Sequence, residues 1–287
     1  MTAETDLTET AAPPWLQNHL HLATRPAVES FAVRELAPAL TSLEDSGVVA
    51  SWHFLRKGDR WRLRYLPPSL NRAESASAAV DAVLERCRTA GMITDWTSVI
   101  YEPETRAFGG SEGMEAAHRL FHQDSRQILA YLTFVDRDEL DDQRVELSVL
   151  LGTAMMHGAG LDWYEIGDTW AKVATNRPVP GVEISLTTRN AASVLLQCDT
   201  APTSRLVGGG KLAFARDWFP VFTNLGQDLR GLADDGRLQR GLRSVLAHHY
   251  LFHANRLGLS HQQQGLSAAA AADAVFGPAL KSEEATS

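Results

Sequence analysis

The spacing of hydrophobic positions changes along the chain, from short alternating runs in the first third to helical repeats afterwards. Alternation of apolar and polar residues predicts strands, whereas repeats of three and four residues predict helices. The first third is predicted to form a strand, a helix, two strands, a helix and a strand, at residues 16–23, 28–43, 48–56, 60–66, 76–87 and 93–101. This β-α-β-β-α-β order over residues 15–101 is the ferredoxin-like pattern.

Prolines and glycines mark where the predicted elements begin and end. Pro26 suits the first turn of the first helix, where a missing N–H costs nothing, and Pro38 is expected to kink or split that helix. Gly47 is expected to end it, and a turn at residues 57–59 joins the two central strands.

Beyond residue 101 the pattern is helical. The predicted helices cover residues 113–135, 139–157, 163–174, 216–232 and 237–257. Residues 186–197 fit either a helix or a strand, and the glycine-rich loop at residues 200–211 fits either a lid or a plain linker. We therefore expect an α+β fold, with a ferredoxin-like N-terminal part followed by a mostly helical part.

The domain organisation follows from the same pattern, because no sharp shift in composition divides the folded region. We expect a single domain over residues 15–265, with a ferredoxin-like part at 15–101 and a helical part at 102–265. A disordered lead-in is expected at residues 1–14, and an alanine-rich helix with a polar tail at residues 266–287.

Composition and charge narrow the classes of function. The 287 residues are 44% hydrophobic and 22% charged, which is ordinary for a globular protein with a sizeable core. The net charge of -8 argues against broad electrostatic binding of nucleic acid. No apolar run reaches the roughly 18 residues of a membrane span, and the N-terminus has no secretion-signal pattern. Two cysteines are too few for a disulfide framework, so a reducing cytoplasm is expected.

The stretch at residues 101–125, YEPETRAFGGSEGMEAAHRLFHQDS, holds the first candidate site. Arg106 precedes the pair Gly109-Gly110, and Ser111 can cap the helix that follows. Arg106 and the free amides of the helix start are predicted to face one space, which suits an anionic or strongly polar group. A strand-loop-helix joint with a surface arginine fits the same residues.

Two arginines lie on the predicted third strand, within WRLRY. Alternation puts Arg62 and Arg64 on one face, and guanidinium groups side by side bind carboxylate or amide oxygens well. If Arg106 lies near them, three cations converge. An exposed sheet face dotted with arginine is the alternative.

The late helix, RSVLAHHYLFHANRLG, carries candidate acid-base groups. Tyr250 and His253 are three residues apart and can share a face, and a phenol and an imidazole suit proton transfer. Ser244 lies six residues before Tyr250, roughly 120° around an ideal helix, so it joins them only at the edge of a broad cleft or on a distorted helix. A set of polar residues on a core helix is the alternative.

Two histidine pairs have the four-residue spacing that can bind zinc, namely His118 with His122 and His249 with His253. Neither pair has a convincing third ligand, and structural zinc sites usually need four. We therefore predict no metal site.

Four segments together resemble one known family: WRLRY, YEPETRAFGG, GMEAAHRLFHQDS and HANRLG. They are similar to the thiopeptide-type bacteriocin biosynthesis domain, which forms the C-terminal, glutamate-elimination part of lantibiotic dehydratases and also occurs as stand-alone enzymes in thiopeptide pathways. The resemblance covers residues 16–258. It implies a protein that acts on a ribosomal precursor peptide carrying a leader, without a cofactor.

One stand-alone subtype of this family removes glutamate from glutamylated serine to leave dehydroalanine. The three arginines named above match those that hold the glutamyl adduct in that subtype. The resemblance also leads us to expect an acid-base histidine four residues before Asn255, but Leu251 occupies that position, and His253 lies on a different face. This departure argues against elimination.

The other subtype is the pyridine synthase, in which a serine and a tyrosine six residues apart line the pocket, and Ser244 and Tyr250 match that spacing. The resemblance then implies a formal [4+2] aza-cycloaddition between two dehydroalanines, which closes a macrocycle with loss of water and of the leader peptide. Tyr250 would move protons with help from Ser244 or His253, and the three arginines would hold amide oxygens. A non-catalytic module that binds precursor peptide is a third hypothesis, and the oligomeric state stays open.

Overall fold

The structure is a computed structural model that describes residues 14–22, 29–58 and 60–277. Several sequence predictions lie outside these described residues, namely those for the lead-in at residues 1–13, Pro26, Asp59 and the tail at residues 278–287.

Residue contacts divide the chain into two compact units. The first, the sheet unit, comprises residues 1–102 with residues 132–139. The second, the helical unit, comprises residues 103–131 with residues 140–287. The described residues thus form a mixed fold, mostly helical with one small antiparallel sheet, and the predicted α+β class is confirmed at this level.

The sheet unit contains a four-stranded antiparallel sheet. Its strands are β1 (Leu16–Leu22), β2 (Ser51–Lys57), β3 (Arg60–Leu66) and β4 (Ile93–Ile100), in the order β2-β3-β1-β4. In β1, Gln17 pairs with Arg64 of β3 on one side and with Val99 of β4 on the other. Strand β3 has the predicted bounds, whereas β2 begins at Ser51 and therefore later than predicted.

Two α-helices accompany the strands of the sheet unit: α1 (Ala37–Asp45) and α2 (Ala73–Thr89). A π-helical segment, Ala32–Leu36, directly precedes α1. Pro38 lies in the first turn of α1, and because its ring and missing N–H disturb the bond to the preceding turn, the helix changes type there. The helical backbone continues from residue 29 to Asp45 without a break, so the helix is not split at Pro38, and the kink stays a prediction.

One face of the sheet forms the core of this unit with the helices, because its side chains are apolar and buried. Members of this core include Leu20, Trp52, Phe54, Leu63, Leu40, Val80 and Leu84. Polar links join the same layers, since the indole N–H of Trp52 donates to Glu44 and that of Trp96 donates to Asp81, each at 2.9 Å. The opposite face carries Arg62 of β3.

The helical unit contains the remaining helices of the described residues. They are α3 (Ser111–Asp136, of which residues 132–136 fall in the sheet unit), α4 (Arg144–Gly158), α5 (Trp163–Asn176), α6 (Leu186–Leu196), α7 (Trp218–Asp234), α8 (Leu242–Leu257) and α9 (His261–Phe276). Residues 186–197, which the pattern left open, are therefore mainly helical. Within the described ranges, no helix is long and apolar enough to cross a membrane.

The start of α4 differs from the prediction, because side chains hold the backbone before it. The helix begins at Arg144 rather than at residue 139. The Tyr131 hydroxyl accepts the N–H of Gln143 at 2.7 Å, and Asp142 accepts both the N–H and the guanidinium of Arg144. These bonds give the backbone polar groups partners outside a helix, which local periodicity does not reveal.

Candidate functional site

The sheet face opposite α1 and α2 carries the two predicted arginines of β3. Arg62 and Arg64 lie opposite His19 and Gln17 of β1, on the one face that alternation predicts. Arg62 is half-buried and makes no side-chain hydrogen bond to any described residue, so its N–H groups are available to a ligand. We call the surface formed by Gln17, His19, Arg62 and Arg64 the arginine face.

Arg64, unlike Arg62, is buried and held in place. Its Nε donates to the side-chain oxygen of Gln17 at 2.6 Å, and its guanidinium carbon lies 4.3 Å from the ring centroid of Tyr101. The charge of this face shows at His19, whose pKa is lowered by burial and then by the neighbouring arginines, Arg62 first. The arginine face therefore favours groups rich in carbonyl or carboxylate oxygen.

Arg106, the third predicted arginine, belongs to the helical unit. It is exposed and makes no side-chain hydrogen bond to any described residue. Because Arg62 and Arg64 belong to the sheet unit, the convergence of the three guanidinium groups stays a prediction.

The glycine pair before α3 is explained by close packing. Gly109 and Gly110 have φ of 90° and 108°, in the left-handed region that favours glycine. A Cβ on Gly109 would lie 2.5 Å from the side chain of Leu238, and the N–H of Gln239 donates to the Gly109 oxygen at 2.7 Å. The chain before α8 is thus bound to the start of α3, so α8 begins at Leu242 rather than at residue 237.

The start of α3 carries a charge of its own. Glu112 lies in its first turn and forms an ion pair with Arg237, whose Nε donates to it at 3.1 Å. A carboxylate at this point already complements the positive end of the helix dipole. The anion-binding role of the helix start therefore stays a prediction.

The predicted acid-base residues of α8 differ in their access to solvent. Ser244 is half-buried in the first turn, whereas Tyr250 is fully buried, with its hydroxyl 3.3 Å from the Ser148 hydroxyl and its ring 4.6 Å from the Trp170 ring. Burial raises the pKa of Tyr250 to about 12, although the Ser148 bond opposes the rise. The phenol has no access to solvent in this structure, so its catalytic role stays a prediction that requires the helix to open.

His253 is also fully buried, in a polar cluster within the helical unit. Its Nδ1 lies 3.0 Å from both carboxylate oxygens of Asp124. Asp124 accepts two further bonds, from Nε of Arg256 at 2.8 Å and from the Trp218 indole at 2.9 Å. We call Asp124, Trp218, His253 and Arg256 the Asp124 cluster; it joins α3, α7 and α8.

The electrostatics of the Asp124 cluster keep its carboxylate ionised. Burial alone would raise the pKa of Asp124, but His253 and then Arg256 outweigh it and lower that pKa. A carboxylate only accepts hydrogen bonds, so Nδ1 of His253 is the donor and Nε2 has no partner among the described residues. Arg256 stacks on the Phe121 ring at 4.4 Å. The cluster therefore holds His253 in one orientation inside the core.

The histidine pairs do not form a metal centre in the described part of the chain, where no group of three metal-ligating side chains lies together. His253 faces Asp124, and His249 is fully buried beside the Phe108 ring at 4.8 Å. Burial, and then His248 and Arg256, push the pKa of His249 well below its ordinary value, so it is neutral near pH 7.

Sequence reasoning missed the other members of the Asp124 cluster. One signal was available, because Asp124 falls at helical spacing from Leu120, Phe121 and Ile128 on the apolar face of α3. A carboxylate on a core-facing stripe needs a charged partner. The pattern does not say which cation reaches it, and Arg256 lies 132 residues further along the chain.

Residues 15–275 match the model of the family described as lantibiotic biosynthesis dehydratase, C-terminal part. The chain belongs to this family. The family predicted from the four motifs is thereby confirmed. No curated protein matches the chain.

Three solved structures share the fold of this family member. The tRNA dependent lantibiotic dehydratase MibB from Microbispora sp. 107891 has a TM-score of 0.65 and 18% identity, over 96% of this chain and 29% of MibB. The pyridine synthase TbtD from thiomuracin biosynthesis has a TM-score of 0.61 and 15% identity, over 91% of this chain and 97% of TbtD. TsrL has a TM-score of 0.55 and 16% identity, over 93% of this chain and 99% of TsrL. At these identities the likeness concerns the fold alone, and the chain spans less than a third of the length of MibB.

Proposed function

We propose that this member of the dehydratase C-terminal family is a pyridine synthase. It would join two dehydroalanines of a ribosomal precursor peptide by a formal [4+2] aza-cycloaddition, and so close a macrocycle with loss of water and of the leader peptide. Family membership supports a role in modifying such peptides, and the pyridine synthase TbtD has the same fold.

Leu251 is the observation that carries this choice within the family. It occupies the position where the resemblance expects the acid-base histidine of a glutamate eliminase, and it is buried and apolar, so it cannot transfer a proton. Ser244 and Tyr250 have the six-residue spacing expected of a pyridine synthase. A cycloaddition does not need the missing histidine, whereas the proposed elimination does.

Positioning would supply much of the rate in this reaction. An amide beside one dehydroalanine becomes an iminol, which gives an azadiene, and the second alkene adds across it. Bringing two distant alkenes of a flexible peptide together is an entropic problem, and oriented binding can supply up to about 7–11 kcal/mol. Arg62, with its unused donors, would hold amide oxygens of the peptide together with Arg64 and Arg106.

Proton transfer would fall to the residues of α8. Tyr250, helped by Ser244 or His253, would move protons when the iminol forms and when water and the leader amide leave, for a gain of about 10²–10⁴-fold. Since Tyr250 and His253 are buried, this role requires α8 to open towards the peptide.

A glutamate eliminase is the second candidate, and the arginines favour it. Arg62 has unused donors, and a guanidinium binds the carboxylate of a glutamyl adduct with two parallel hydrogen bonds. Part of the lantibiotic dehydratase MibB has the same fold. Leu251 is the observation against this candidate.

The two candidates are separated by their substrates. We expect a precursor peptide with dehydroalanines and thiazoles to give a macrocycle and a leader amide, both detected by mass spectrometry, while a glutamylated serine peptide stays unchanged. Loss of glutamate from the second peptide would assign elimination instead. Tight leader binding in fluorescence anisotropy, with neither product formed, would support the third hypothesis, a non-catalytic module that binds precursor peptide.

Tyr250→Phe tests the proposed proton transfer. We expect kcat to fall about 10²-fold or more, since general acid-base groups contribute on that order. Ser148→Ala is the matched control, because it removes the same 3.3 Å hydrogen bond and leaves the phenol in place. Unchanged turnover in Tyr250→Phe, with a similar loss of thermal stability in both variants, would make this hydroxyl a structural group.

We also propose that the sheet unit is ferredoxin-like. The element order β-α-β-β-α-β and the sheet order β2-β3-β1-β4 support this architecture. A leader peptide bound to this unit would add affinity away from the reacting groups, at the ordering cost of a disordered partner.

A further inference from the structure

A cleft of about 600 Å³ lies within the helical unit, between α4, α7 and the loop that follows α6. None of the residues predicted for catalysis or substrate binding lines it. Its volume falls in the range of roughly 300–1,000 Å³ that is usual for ligand sites. The cleft is therefore a candidate binding site in its own right.

Two walls of the cleft are fixed by a close helix crossing. A Cβ on Gly158 of α4 would lie 2.3 Å from the Thr223 carbonyl oxygen, and a Cβ on Gly226 of α7 would lie 2.0 Å from the Met155 oxygen. Such backbone contact leaves no room for a side chain and little freedom to slide. The cleft beside this crossing is consequently preformed.

The third wall is formed by residues 198–202, where the chain leaves α6 and enters the glycine-rich loop for which the sequence left open a lid or a linker. Within that loop, Ser204 donates its N–H to the Ala201 oxygen at 2.9 Å, and Gly208 donates to the Ser204 oxygen at 2.7 Å. Val207 is fully buried. The wall at residues 198–202 is thus tied to the folded loop that follows it.

The lining of the cleft mixes polar and apolar groups, and its titratable side chains are His157, Cys198 and Asp199. Asn224 and Gln227 of α7 and Thr200 of the loop have side chains without a hydrogen bond to any described residue. The lining includes neither lysine nor arginine, and the single carboxylate, Asp199, already accepts the N–H of Ala201 at 2.9 Å. An anionic ligand would find no guanidinium or ammonium group there, and His157 already contacts the Leu196 oxygen at 3.3 Å through Nε2.

We propose that this cleft binds an extended, uncharged segment of peptide through its main chain. A side-chain amide offers one acceptor and two donors, and so pairs with the C=O and N–H of a peptide group. Asn224 and Gln227 are three residues apart on one helix, so both can face the same bound strand. Ala154 and Ala201, which also line the cleft, are small and leave room beside them for the side chains of that strand.

This inference rests on the proposed function, which supplies a peptide as the ligand. It assigns the cleft to a part of the precursor peptide away from the groups that react. Binding in the cleft would reduce the freedom of the peptide before the two alkenes meet, which is the entropic requirement of the proposed reaction.

A native thiol reports on occupancy of the cleft. The chain has two cysteines; Cys198 lines the cleft and is half-buried, whereas Cys87 is buried in the sheet unit and burial raises its pKa to about 11. The full chain is treated with N-ethylmaleimide at pH 8.5, with and without a capped, uncharged serine-glycine-alanine heptapeptide, and each cysteine is followed by peptide mapping. We expect the heptapeptide at saturation to slow labelling of Cys198 about tenfold and to leave Cys87 unchanged.

The double variant Asn224→Ala, Gln227→Ala tests the proposed amide contacts. We expect it to raise the concentration of heptapeptide needed for half protection about tenfold, as the loss of two or so neutral hydrogen bonds implies. Gln262→Ala, an exposed glutamine of α9 outside the cleft, is the matched control and should leave protection intact.

Two results would overturn the inference. One is equal labelling of Cys198 with and without the heptapeptide, and the other is protection by the uncharged sugar maltotriose in place of the peptide. Both labelling measurements can be made without turnover, so they remain valid even if the protein proves not to be a pyridine synthase. Conversely, if the protein is an active pyridine synthase but the heptapeptide does not protect Cys198, only the proposed peptide binding in the cleft is contradicted.

Discussion

Asp124 shows how a single buried residue can govern a helical core. Its carboxylate is fully buried and receives bonds from Trp218, His253 and Arg256, so three helices depend on one charge. A buried ion pair contributes little over an apolar pair of equal shape, but removing one partner leaves an uncompensated charge. The predicted catalytic residue His253 is oriented by this charge.

Asp124→Asn is expected to destabilise the protein strongly. It removes the charge that compensates Arg256, and such a loss costs about 3–5 kcal/mol of unfolding free energy, measurable by urea denaturation. Asp228→Asn is the matched control, because Asp228 pairs with Arg119 on the surface and should cost about 1 kcal/mol or less. Similar losses in the two variants would contradict the assigned role of the Asp124 cluster.

Among the elements, the start of α3 is shaped by three glycines. Gly109 and Gly110 adopt positive φ, and Gly113 in the first turn lies against the backbone of Phe108. A Cβ on Gly113 would lie 2.0 Å from the Phe108 carbonyl oxygen. The joint before the helix therefore constrains the helix itself.

Gly113→Ala reverses the usual effect of alanine in a helix. Alanine normally stabilises a helix interior by about 0.5–1 kcal/mol relative to glycine, but here the clash with Phe108 should lower stability by about 1–3 kcal/mol. Gly231→Ala in α7 is the matched control, since its Cβ would meet nothing within 4 Å, and it should raise the melting temperature. A higher melting temperature in both variants would show that the backbone at Phe108 moves away from the new methyl group at little cost in free energy.

The stability of the whole molecule depends on pH because some buried groups have a different pKa in the folded protein than in the unfolded chain. His249 is fully buried with its pKa well below 6.5, so the folded protein keeps it neutral while the unfolded chain binds a proton near that pH. The sign follows from linkage: this contribution is present above about pH 6.5 and is lost as the pH falls. Asp124, whose pKa is lowered from 3.8, adds a further loss only in stronger acid.

We expect the unfolding free energy to decrease between pH 7 and pH 5. One proton taken up only by the unfolded chain gives a slope of up to about 1.4 kcal/mol per pH unit. His249→Gln should reduce this slope, measured by denaturant titration at several pH values, whereas His261→Gln removes an exposed histidine as the control. Identical slopes in the native protein and His249→Gln would contradict the argument.

Much of the fold follows from local pattern. The six elements of the sheet unit, the disturbance of the first helix near Pro38 and the late helices follow from apolar spacing, proline and glycine, because these features act over a few residues. The shared face of Arg62 and Arg64 follows from alternation alone. The start of α4 at Arg144 could not be predicted this way, because Tyr131 and Asp142 replace helical bonds with side-chain bonds.

The candidate site was predicted less completely than the fold. The sequence by itself determined the family, the order of the elements and which residue types could do acid-base or oxygen-binding chemistry. Only the tertiary structure decided which of them are accessible: Tyr250 and His253 are buried, and Arg62 and Arg106 keep unused donors. The physical reason is that burial and charge pairing depend on segments far apart in the chain, such as Asp124 and Arg256, whose meeting no local period encodes.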